Sequence, residues 1–536
     1  MRDRDLWLSR ILTVVSIGLF IMPCLVQAQS RARLLPLPPK KGPMARMPLG
    51  APASSRWQVL PNQPPVLDYT DCGPNAPILL TDGTVLVQDA GCQDWWKLTP
   101  DVNGSYVNGT WSQIASLPSD YSPLYHSSAV LPDGRFIIEG GEYNFLTPDW
   151  TDLGAIYDPV ADTWTHVAPP PFFVGCCGID HPTIGDAQSV VLADGTYMQA
   201  NCCTMQDALL NASTMTWTHA DKGKFDINDE EGWTLLPNGK VLTVDAYVFK
   251  YIPTGTHSEI FDPATRMWHS AGSTIVQLWD SRLTCGEEHP TQEVGPAVLR
   301  PDGTVFYTGA NTCGGGQSGH TAIYDSNKGT WSAGPDFPPN LNIADGPAAL
   351  EPNGKVLMMA SPGYGDPPSK FFEWNGTSLK RVAGPSDADN IGSFYGNMLV
   401  LPTGQILFTD FFYVQIYTPS SGFNSEWRPI IQSVPTTISP GGSYVASGFR
   451  FNGMSQGAAY GDDAQMATNF PIIRITNNES GHVFYTRTHA HSSMAVASPE
   501  LVSTHFDVPT NVELGPSKLV VVANGIPSRP VNVTVE

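Results

Sequence analysis

The sequence predicts an all-β chain in which a seven-bladed β-propeller is followed by an immunoglobulin-like β-sandwich. A turn glycine in an LPDG-like tetrapeptide recurs seven times, and 44 to 64 residues separate successive copies. The seven glycines are Gly83, Gly134, Gly195, Gly239, Gly303, Gly354 and Gly404. A period of roughly 50 residues is typical of kelch-type propeller blades. An ordinary sandwich would show turns but no period of this length.

The segment 125–141, YHSSAVLPDGRFIIEGG, shows what one repeat contains. Ser128, Val130 and residues 136–138 favour strands, and Pro132-Asp133-Gly134 between them is typical turn chemistry, because the proline presets φ and the glycine accepts a positive φ. A tryptophan closes most repeats. These tryptophans are Trp111, Trp164, Trp217, Trp268 and Trp331. We therefore expect seven β-hairpin-based blades over residues 57–425.

After Pro419 the pattern changes to short alternating strands such as SYVASGFRF, IIRITN and KLVVVAN. This spacing predicts an immunoglobulin-like sandwich over residues 426–536. The composition agrees with an all-β chain: Gly (50) and Pro (48) are frequent, and only 15% of residues are charged.

The charge and the N-terminus indicate where the protein acts. A net charge of −21 argues against a nucleic-acid partner, which needs basic patches. Residues 1–28 read as a signal peptide, with arginines before an apolar run, and residues 29–56 as a Pro-rich basic leader. We expect a secreted or periplasmic monomer without a membrane span, whose partner is a small molecule or a polysaccharide.

Removal of the signal peptide would leave eight cysteines, an even number that suggests disulfides in an exported chain. We expect Cys72–Cys92 and Cys285–Cys313. Two further bridges would join the pair Cys176 and Cys177 to the pair Cys202 and Cys203, with the pairing left open. Zinc is the alternative for this double-cysteine group, although adjacent cysteines on a strand point in opposite directions.

A ring of polar residues is expected around the propeller axis, where the first strand of each blade begins. The residues nine positions before each turn glycine are Pro74, Tyr125, Asp186, Glu230, Val294, Asp345 and Tyr395. They are flanked by His126, Glu231 and Phe394, which we include as candidate ligand-binding residues. The ring predicts an acidic and aromatic funnel. The alternative is that these side chains only bond to neighbouring backbone groups.

A second candidate lies in the sandwich, in the segment Arg487-Thr488-His489-Ala490-His491. In an extended strand His489 and His491 would project to the same face, because side chains alternate with period two. Two imidazoles on one face could bind a transition metal. We therefore expect these histidines as candidate metal ligands, completed by a carboxylate from the propeller.

Taken together, these segments resemble the galactose oxidase and glyoxal oxidase family, whose members are exported copper radical oxidases with a kelch propeller and a C-terminal early-set domain. The resemblance is strongest over YHSSAVLPDG, NMLVLPTGQILF and RTHAHSSMAVAS. It places Tyr125 at the cross-linked tyrosine and His489 at the histidine of an inserted loop. The family's cysteine position falls on Pro74, and its Tyr-His pair falls on Phe394 and Tyr395.

The resemblance leaves two functions open. The preferred interpretation is a secreted galactose-oxidase-like protein without the standard copper-radical site, which binds a carbohydrate or another extracellular ligand in its funnel. The alternative is a copper-dependent oxidase of alcohols, aldehydes or sugars that releases H₂O₂, with Tyr125 and Tyr395 as catalytic residues. Copper would then require Cys72 in place of Pro74. No cofactor is implied with certainty, and copper is the one that the alternative needs.

Overall fold

The structure is a computed structural model that describes residues 56–65, 72–175, 181–248, 252, 254–279, 293–310, 318–363, 365–461 and 466–536. The expected signal peptide (1–28) and nearly all of the leader lie outside these residues. The expected pair Cys285–Cys313 and the cysteines Cys176 and Cys177 also lie outside them. What is described is almost entirely β-structure, as the sequence predicts.

Seven blades of four antiparallel strands follow one another along the chain within the described residues. The first strands are β1 (Trp57–Val59), β2 (Gly73–Leu79), β3 (Val85–Ala90), β4 (Trp95–Thr99), β5 (Thr110–Gln113), β6 (Pro123–Leu124), β7 (Ser127–Val130), β8 (Phe136–Glu139), β9 (Tyr143–Asn144), β10 (Thr147–Pro148), β11 (Gly154–Asp158) and β12 (Thr163–Val167). Strands β2–β5 form blade 1, and β7, β8, β11 and β12 form blade 2, while β6, β9 and β10 make a small separate sheet.

Blades 3 to 7 repeat the same four-strand order. Their strands are β13 (Ser189–Val191), β14 (Tyr197–Ala200), β15 (Asp207–Asn211), β16 (Thr216–His219), β17 (Thr234–Leu235), β18 (Val241–Val244), β19 (His257–Asp262), β20 (Met267–Ser273), β21 (Val294–Leu299), β22 (Thr304–Gly309), β23 (Thr321–Asp325), β24 (Thr330–Ala333), β25 (Pro347–Leu350), β26 (Val356–Ala360), β27 (Lys370–Trp374), β28 (Leu379–Val382), β29 (Asn397–Val400), β30 (Ile406–Thr409) and β31 (Val414–Tyr417). The first strands of neighbouring blades contact one another, for example β7 with β13 and β29 with β2. The blades therefore surround a common hub, as a propeller requires.

The ring is closed by the N-terminal strand. β1 pairs with β31, so Trp57 lies opposite Tyr417 as the outermost strand of blade 7. The Trp57 indole donates to the carbonyl of Ala383 in the preceding blade (2.7 Å). Trp111, Trp164 and Trp217 donate to backbone carbonyls 49 residues earlier in the chain. The recurring tryptophans thus tie blades to their neighbours, and Trp57 does so where the circle closes.

A β-sandwich follows the propeller. Its strands are β32 (Ile430–Ser433), β33 (Thr437–Ile438), β34 (Ser443–Phe449), β36 (Ile472–Asn477), β37 (Val483–His489), β38 (Val502–Asp507), β39 (Gly515–Ala523), β40 (Ile526–Pro527) and β41 (Val531–Val535). The strand between β34 and β36 in the chain, β35 (Ala458–Tyr460), pairs with the propeller instead. Phe506 on β38, Ile473 on β36 and Val533 on β41 share one buried apolar core. The sandwich therefore has a core of its own, separate from those of the blades.

The sandwich docks on the face of the propeller that carries the hairpin turns. The Thr488 amide donates to the Thr81 carbonyl (3.2 Å), and the His491 amide donates to that of Pro132 (3.0 Å). From this face the segment 451–461, here called the insert, enters the hub, where β35 pairs with β25, the innermost strand of blade 6. The insert therefore occupies the hub from the side of the hairpin turns. A ligand site is expected at the opposite end of the hub.

Cys72 and Cys92 form a disulfide, which confirms the expected pairing. Cys203 is also disulfide-bonded, and its two expected partners, Cys176 and Cys177, lie outside the described residues. In the part of the chain that the structure describes, no helix combines the length and apolar character needed to cross a bilayer.

Candidate functional site

The candidate site is the end of the hub at which the first strands of the blades begin, here called the hub mouth. Because these strands run in the same direction through a propeller, their N-terminal ends lie on one face, opposite the hairpin turns. Tyr125, Asp186, Glu230, Asp345 and Tyr395 each lie within a few residues before such a strand. The structure therefore gathers these five predicted residues around one opening.

One half of the hub mouth is aromatic. The Tyr125 and Tyr143 rings lie 6.2 Å apart edge to face, and the Tyr395 ring lies 4.2 Å from that of Phe394 and 5.7 Å from that of Phe411. Burial raises the pKa of Tyr395 to about 12, so its hydroxyl stays protonated at neutral pH. This half offers apolar ring faces together with phenol hydroxyls, a combination suited to sugars.

The other half is acidic. The carboxylates of Asp186 and Asp229 and the sulfur of Cys202 come within 4.8 Å of one another, measured on one donor atom of each. Burial raises the pKa of Asp186 to about 6, and burial together with the charge of Asp186 raises the pKa of Asp229 to about 8. Burial, followed by the charge of Glu293, raises the pKa of Glu230 well above its ordinary value. Near neutral pH this half of the mouth holds protonated as well as ionised carboxyls.

Three residues of this acidic half, Asp229, Glu293 and Tyr247, were not found by counting nine positions back from the turn glycines. Asp229 directly precedes Glu230, and burial with the charge of Asp229 raises the pKa of Tyr247 well above its ordinary value. Glu293 directly precedes Val294, the residue that the count selected, which is 1% exposed inside β21. A β-bulge between Val294 and Ala297 shifts the register there. For Asp229 and Glu293 the available signal was an acidic residue directly before a ring position.

The raised carboxyl pKa values predict that the folded state loses stability as the pH rises. In the native state Asp186 and Asp229 keep protons that the unfolded chain releases near pH 4. Their contribution to the free energy of unfolding is therefore fully present below pH 4, and it is lost as the pH rises through their native pKa values of about 6 and about 8. Asp229→Asn should flatten the slope of unfolding free energy against pH by up to about 1.4 kcal/mol per pH unit. Urea titrations between pH 5 and 9 measure this slope. Asp302→Asn, in an exposed turn, is the control, and an equal slope in wild type and Asp229→Asn would contradict the prediction.

Two flanking residues do not face the mouth, contrary to expectation. Glu231 is fully buried, accepts from Lys224 Nζ (3.0 Å) and from Thr243 Oγ1 (3.1 Å), and belongs to an ion-pair network inside blade 4. His126 is 2% exposed, and its Nε2 lies 3.0 Å from Gln88 Oε1. Burial lowers the pKa of His126 to about 4, so it is neutral. Both residues follow a ring residue in the left-handed conformation, with φ of 53° at Tyr125 and 59° at Glu230, and both lie outside the strands of their blades.

His489 and His491 are not brought to the hub mouth. His489 Nε2 lies 3.2 Å from Asp507 Oδ1, and the two residues flank the sandwich surface that meets the hairpin turns. Ala490 has φ of 49°, which ends the extended run at His489 and breaks the alternation on which the shared face depended. His491 is instead buried, with Nδ1 2.9 Å from Thr504 Oγ1, and burial lowers its pKa to about 3. The expectation that His489 and His491 share one face and complete a metal site with a propeller carboxylate is therefore wrong.

The insert places Tyr460, the last residue of β35, in the hub. Its hydroxyl donates to the Phe394 carbonyl (2.9 Å). It lines a small cavity with Tyr125, His126 and Asn397. Next to it, a Cβ on Gly461 would lie 2.3 Å from Asp345 Oδ1, so the backbone passes very close to that carboxyl. The insert thus forms the floor below the mouth.

The donor set at the mouth does not fit the copper-radical site of the family that the sequence resembles. That site needs a cysteine beside Tyr125, but the Cys72 sulfur is bonded to Cys92 and Pro74 has none. Phe394 offers no donor atom, and His126 is turned to Gln88. Among the described residues, Tyr125 and Tyr395 are what remains of the set, and two phenols are too few strong ligands for copper.

Comparisons with known proteins give likeness at the level of the fold. No protein-family model matches the sequence, and no curated protein sequence matches it. Among solved structures, a fungal alcohol oxidase of the AA5 family in complex with copper has a TM-score of 0.48 and 13% identity, covering 91% of this chain and 99% of its own.

Two further structures are similar over less of the chain. Virginiamycin B lyase from Staphylococcus aureus has a TM-score of 0.44 and 7% identity, covering 68% of this chain and 99% of its own. The extracellular domain of a putative one-component system from B. thetaiotaomicron has a TM-score of 0.40 and 10% identity, covering 87% of this chain and 57% of its own. The strand pairing itself establishes that the chain is a β-propeller protein with a C-terminal sandwich.

Proposed function

We propose that this chain is a secreted, galactose-oxidase-like propeller that binds a carbohydrate at the hub mouth and does not carry out copper-radical chemistry. The observation that carries the proposal is the convergence of Tyr125 and Tyr395 with the carboxyls of Asp186, Asp229 and Glu230 on one face of the hub. The disulfide between Cys72 and Cys92 supports an exported protein, because such bonds persist in oxidising compartments.

The chemistry of the mouth favours a neutral, polyhydroxylated ligand. Aromatic faces such as that of Tyr395 pack against the C–H face of a sugar ring, and carboxylates accept hydrogen bonds from its hydroxyls. Protonated carboxyls can also donate, and the raised pKa values of Asp186 and Asp229 supply both forms near neutral pH. An anionic ligand is disfavoured by the same carboxyls and by the net charge of −21.

A glycan array followed by calorimetry with the best ligand tests the proposal. Tyr395→Phe keeps the ring but removes the hydroxyl, and we expect the affinity to fall about 5- to 10-fold, which corresponds to the loss of one hydrogen bond. Tyr444→Phe is the matched control, because Tyr444 is a half-buried tyrosine on β34 of the sandwich. If the wild type binds no glycan, or if the two variants bind equally, the proposed site is rejected.

The copper oxidase remains the alternative to be tested directly, because Tyr125 stands where the family has its cross-linked tyrosine. Copper bound to such a site would supply one-electron chemistry with O₂. Copper analysis after loading, together with a peroxide assay on alcohols, aldehydes and sugars, distinguishes the two functions. Stoichiometric copper with peroxide release would replace the binding proposal.

A further inference from the structure

A strained hairpin rises beside the hub mouth. β9 and β10 are joined by the two residues Phe145 and Leu146, which have φ of 51° and 58°. Two consecutive positive φ values define a type I′ turn, for which Asn-Gly is the usual sequence. Bulky side chains in this conformation are strained, and such strain persists only where the surroundings enforce it. It tends to occur at ligand-binding sites, which makes this turn informative.

The surrounding contacts hold the turn in place. The Phe145 amide donates to the Ser122 carbonyl (3.0 Å), and the Asn144 side chain accepts from the Ser122 amide (2.8 Å). Leu146 packs against the apolar cluster that contains Tyr125, and it fills the space that a Cβ on Gly91 would occupy. Leu146 therefore has a packing role that compensates for its own conformation.

Phe145 has no such compensation, because its side chain is 45% exposed. β9 pairs with β6, whose last residue directly precedes Tyr125, and Leu146 packs on the cluster that contains Tyr125, so the turn at Phe145 lies beside the aromatic half of the mouth. At the other end of the hairpin, a Cβ on Gly185 would lie 2.9 Å from Trp150 Cδ1, and Gly185 directly precedes Asp186. The hairpin thus reaches from the aromatic half of the mouth to the acidic half.

We propose that Phe145 is an aromatic lip that stacks on a second sugar ring of the ligand, so that the site takes oligosaccharides of two or more units. This inference rests on the proposed carbohydrate-binding function and names its substrate class. The exposed phenyl face provides the apolar surface that the C–H face of a pyranose needs. An Asn-Gly turn would close the same hairpin without strain but would offer no such face.

Phe145→Asn separates binding from stability, because asparagine tolerates the left-handed conformation better than phenylalanine does. We expect an unchanged or higher melting temperature together with an about tenfold loss of affinity for the di- or trisaccharide that binds the wild type best on the array. Affinity for the terminal monosaccharide of that ligand should stay the same. Phe145→Trp, which keeps an aromatic face, should retain oligosaccharide binding.

Ile275→Asn is the matched control. Ile275 is apolar, 58% exposed and has φ of 71°, but it follows the outermost strand of blade 4. Ile275→Asn should leave the affinities for the oligosaccharide and for the monosaccharide unchanged. If Phe145→Asn binds the oligosaccharide as tightly as the wild type, the lip is rejected while the hub site stands. If the wild type binds no saccharide at all, the lip and the proposed function are rejected together.

Discussion

Replacing Lys224 with methionine is expected to destabilise the folded chain by about 3–5 kcal/mol, because it removes the cation from a buried charge network. Lys224 Nζ donates to Glu231 (3.0 Å) and to Glu259 (2.7 Å), and all three side chains are at most 1% exposed. Burial by itself would lower the pKa of Lys224, but the two carboxylates outweigh it and hold the pKa well above its ordinary value. The ammonium is therefore charged and enclosed.

Carboxyl groups surround Lys224. Asp226 and Asp245 are also buried near it, so four carboxyls surround one lysine, and Asp245 is further bonded to His257. In Lys224→Met these carboxyls could stay buried only by binding protons. The loss of stability should therefore be larger at pH 8 than at pH 5.

Urea unfolding followed by circular dichroism at both pH values measures this effect. Lys240→Met is the matched control: its ion pair with Asp262 (2.9 Å) is partly exposed, and its loss should cost less than about 1 kcal/mol. Equal destabilisation by the two variants would show that the Lys224 network contributes no more than a surface pair.

Trp57→Ala should have an effect of similar size, about 3–5 kcal/mol, because it empties the position at which the propeller closes. Trp57 is 5% exposed, and its ring lies 4.9 Å from that of Tyr417 and 5.1 Å from that of Phe371. The variant also leaves the Ala383 carbonyl without the indole donor. It therefore loosens the contact between blade 7 and blade 6 as well as the pairing of β1 with β31.

The control lies on the same strand. Gln58 is exposed, so Gln58→Ala should change the unfolding free energy by less than about 0.5 kcal/mol. Thermal unfolding by circular dichroism compares the two variants with the wild type. If Trp57→Ala melts like Gln58→Ala, β1 is not required for the closed ring.

Much of the fold follows from the sequence because each blade is built from neighbouring residues. The turn glycines, such as Gly134 with φ of 86°, mark hairpins whose strands are close in the chain. The disulfide between Cys72 and Cys92 spans only 20 residues. Counting back from the glycines also located Tyr125, Asp186 and Tyr395, because the first strands of the blades have similar lengths.

The same counting was less reliable where local geometry changes. The bulge in β21 moved the acidic position from Val294 to Glu293, and after the left-handed Glu230 the side chain of Glu231 is bonded to Lys224. The strain at Phe145 could not be anticipated, because Phe-Leu is not a sequence that predicts a type I′ turn.

By itself, the sequence determined the all-β class, the seven blades, the sandwich and the disulfide between Cys72 and Cys92, since each is set by residues near one another in the chain. Only the tertiary structure decided that β1 completes blade 7, that the sandwich docks on the turn side, and that Tyr460 rather than His489 enters the hub. These features join residues that are at least 66 positions apart. Their stability comes from surface complementarity between finished elements, which leaves no periodic trace in the sequence.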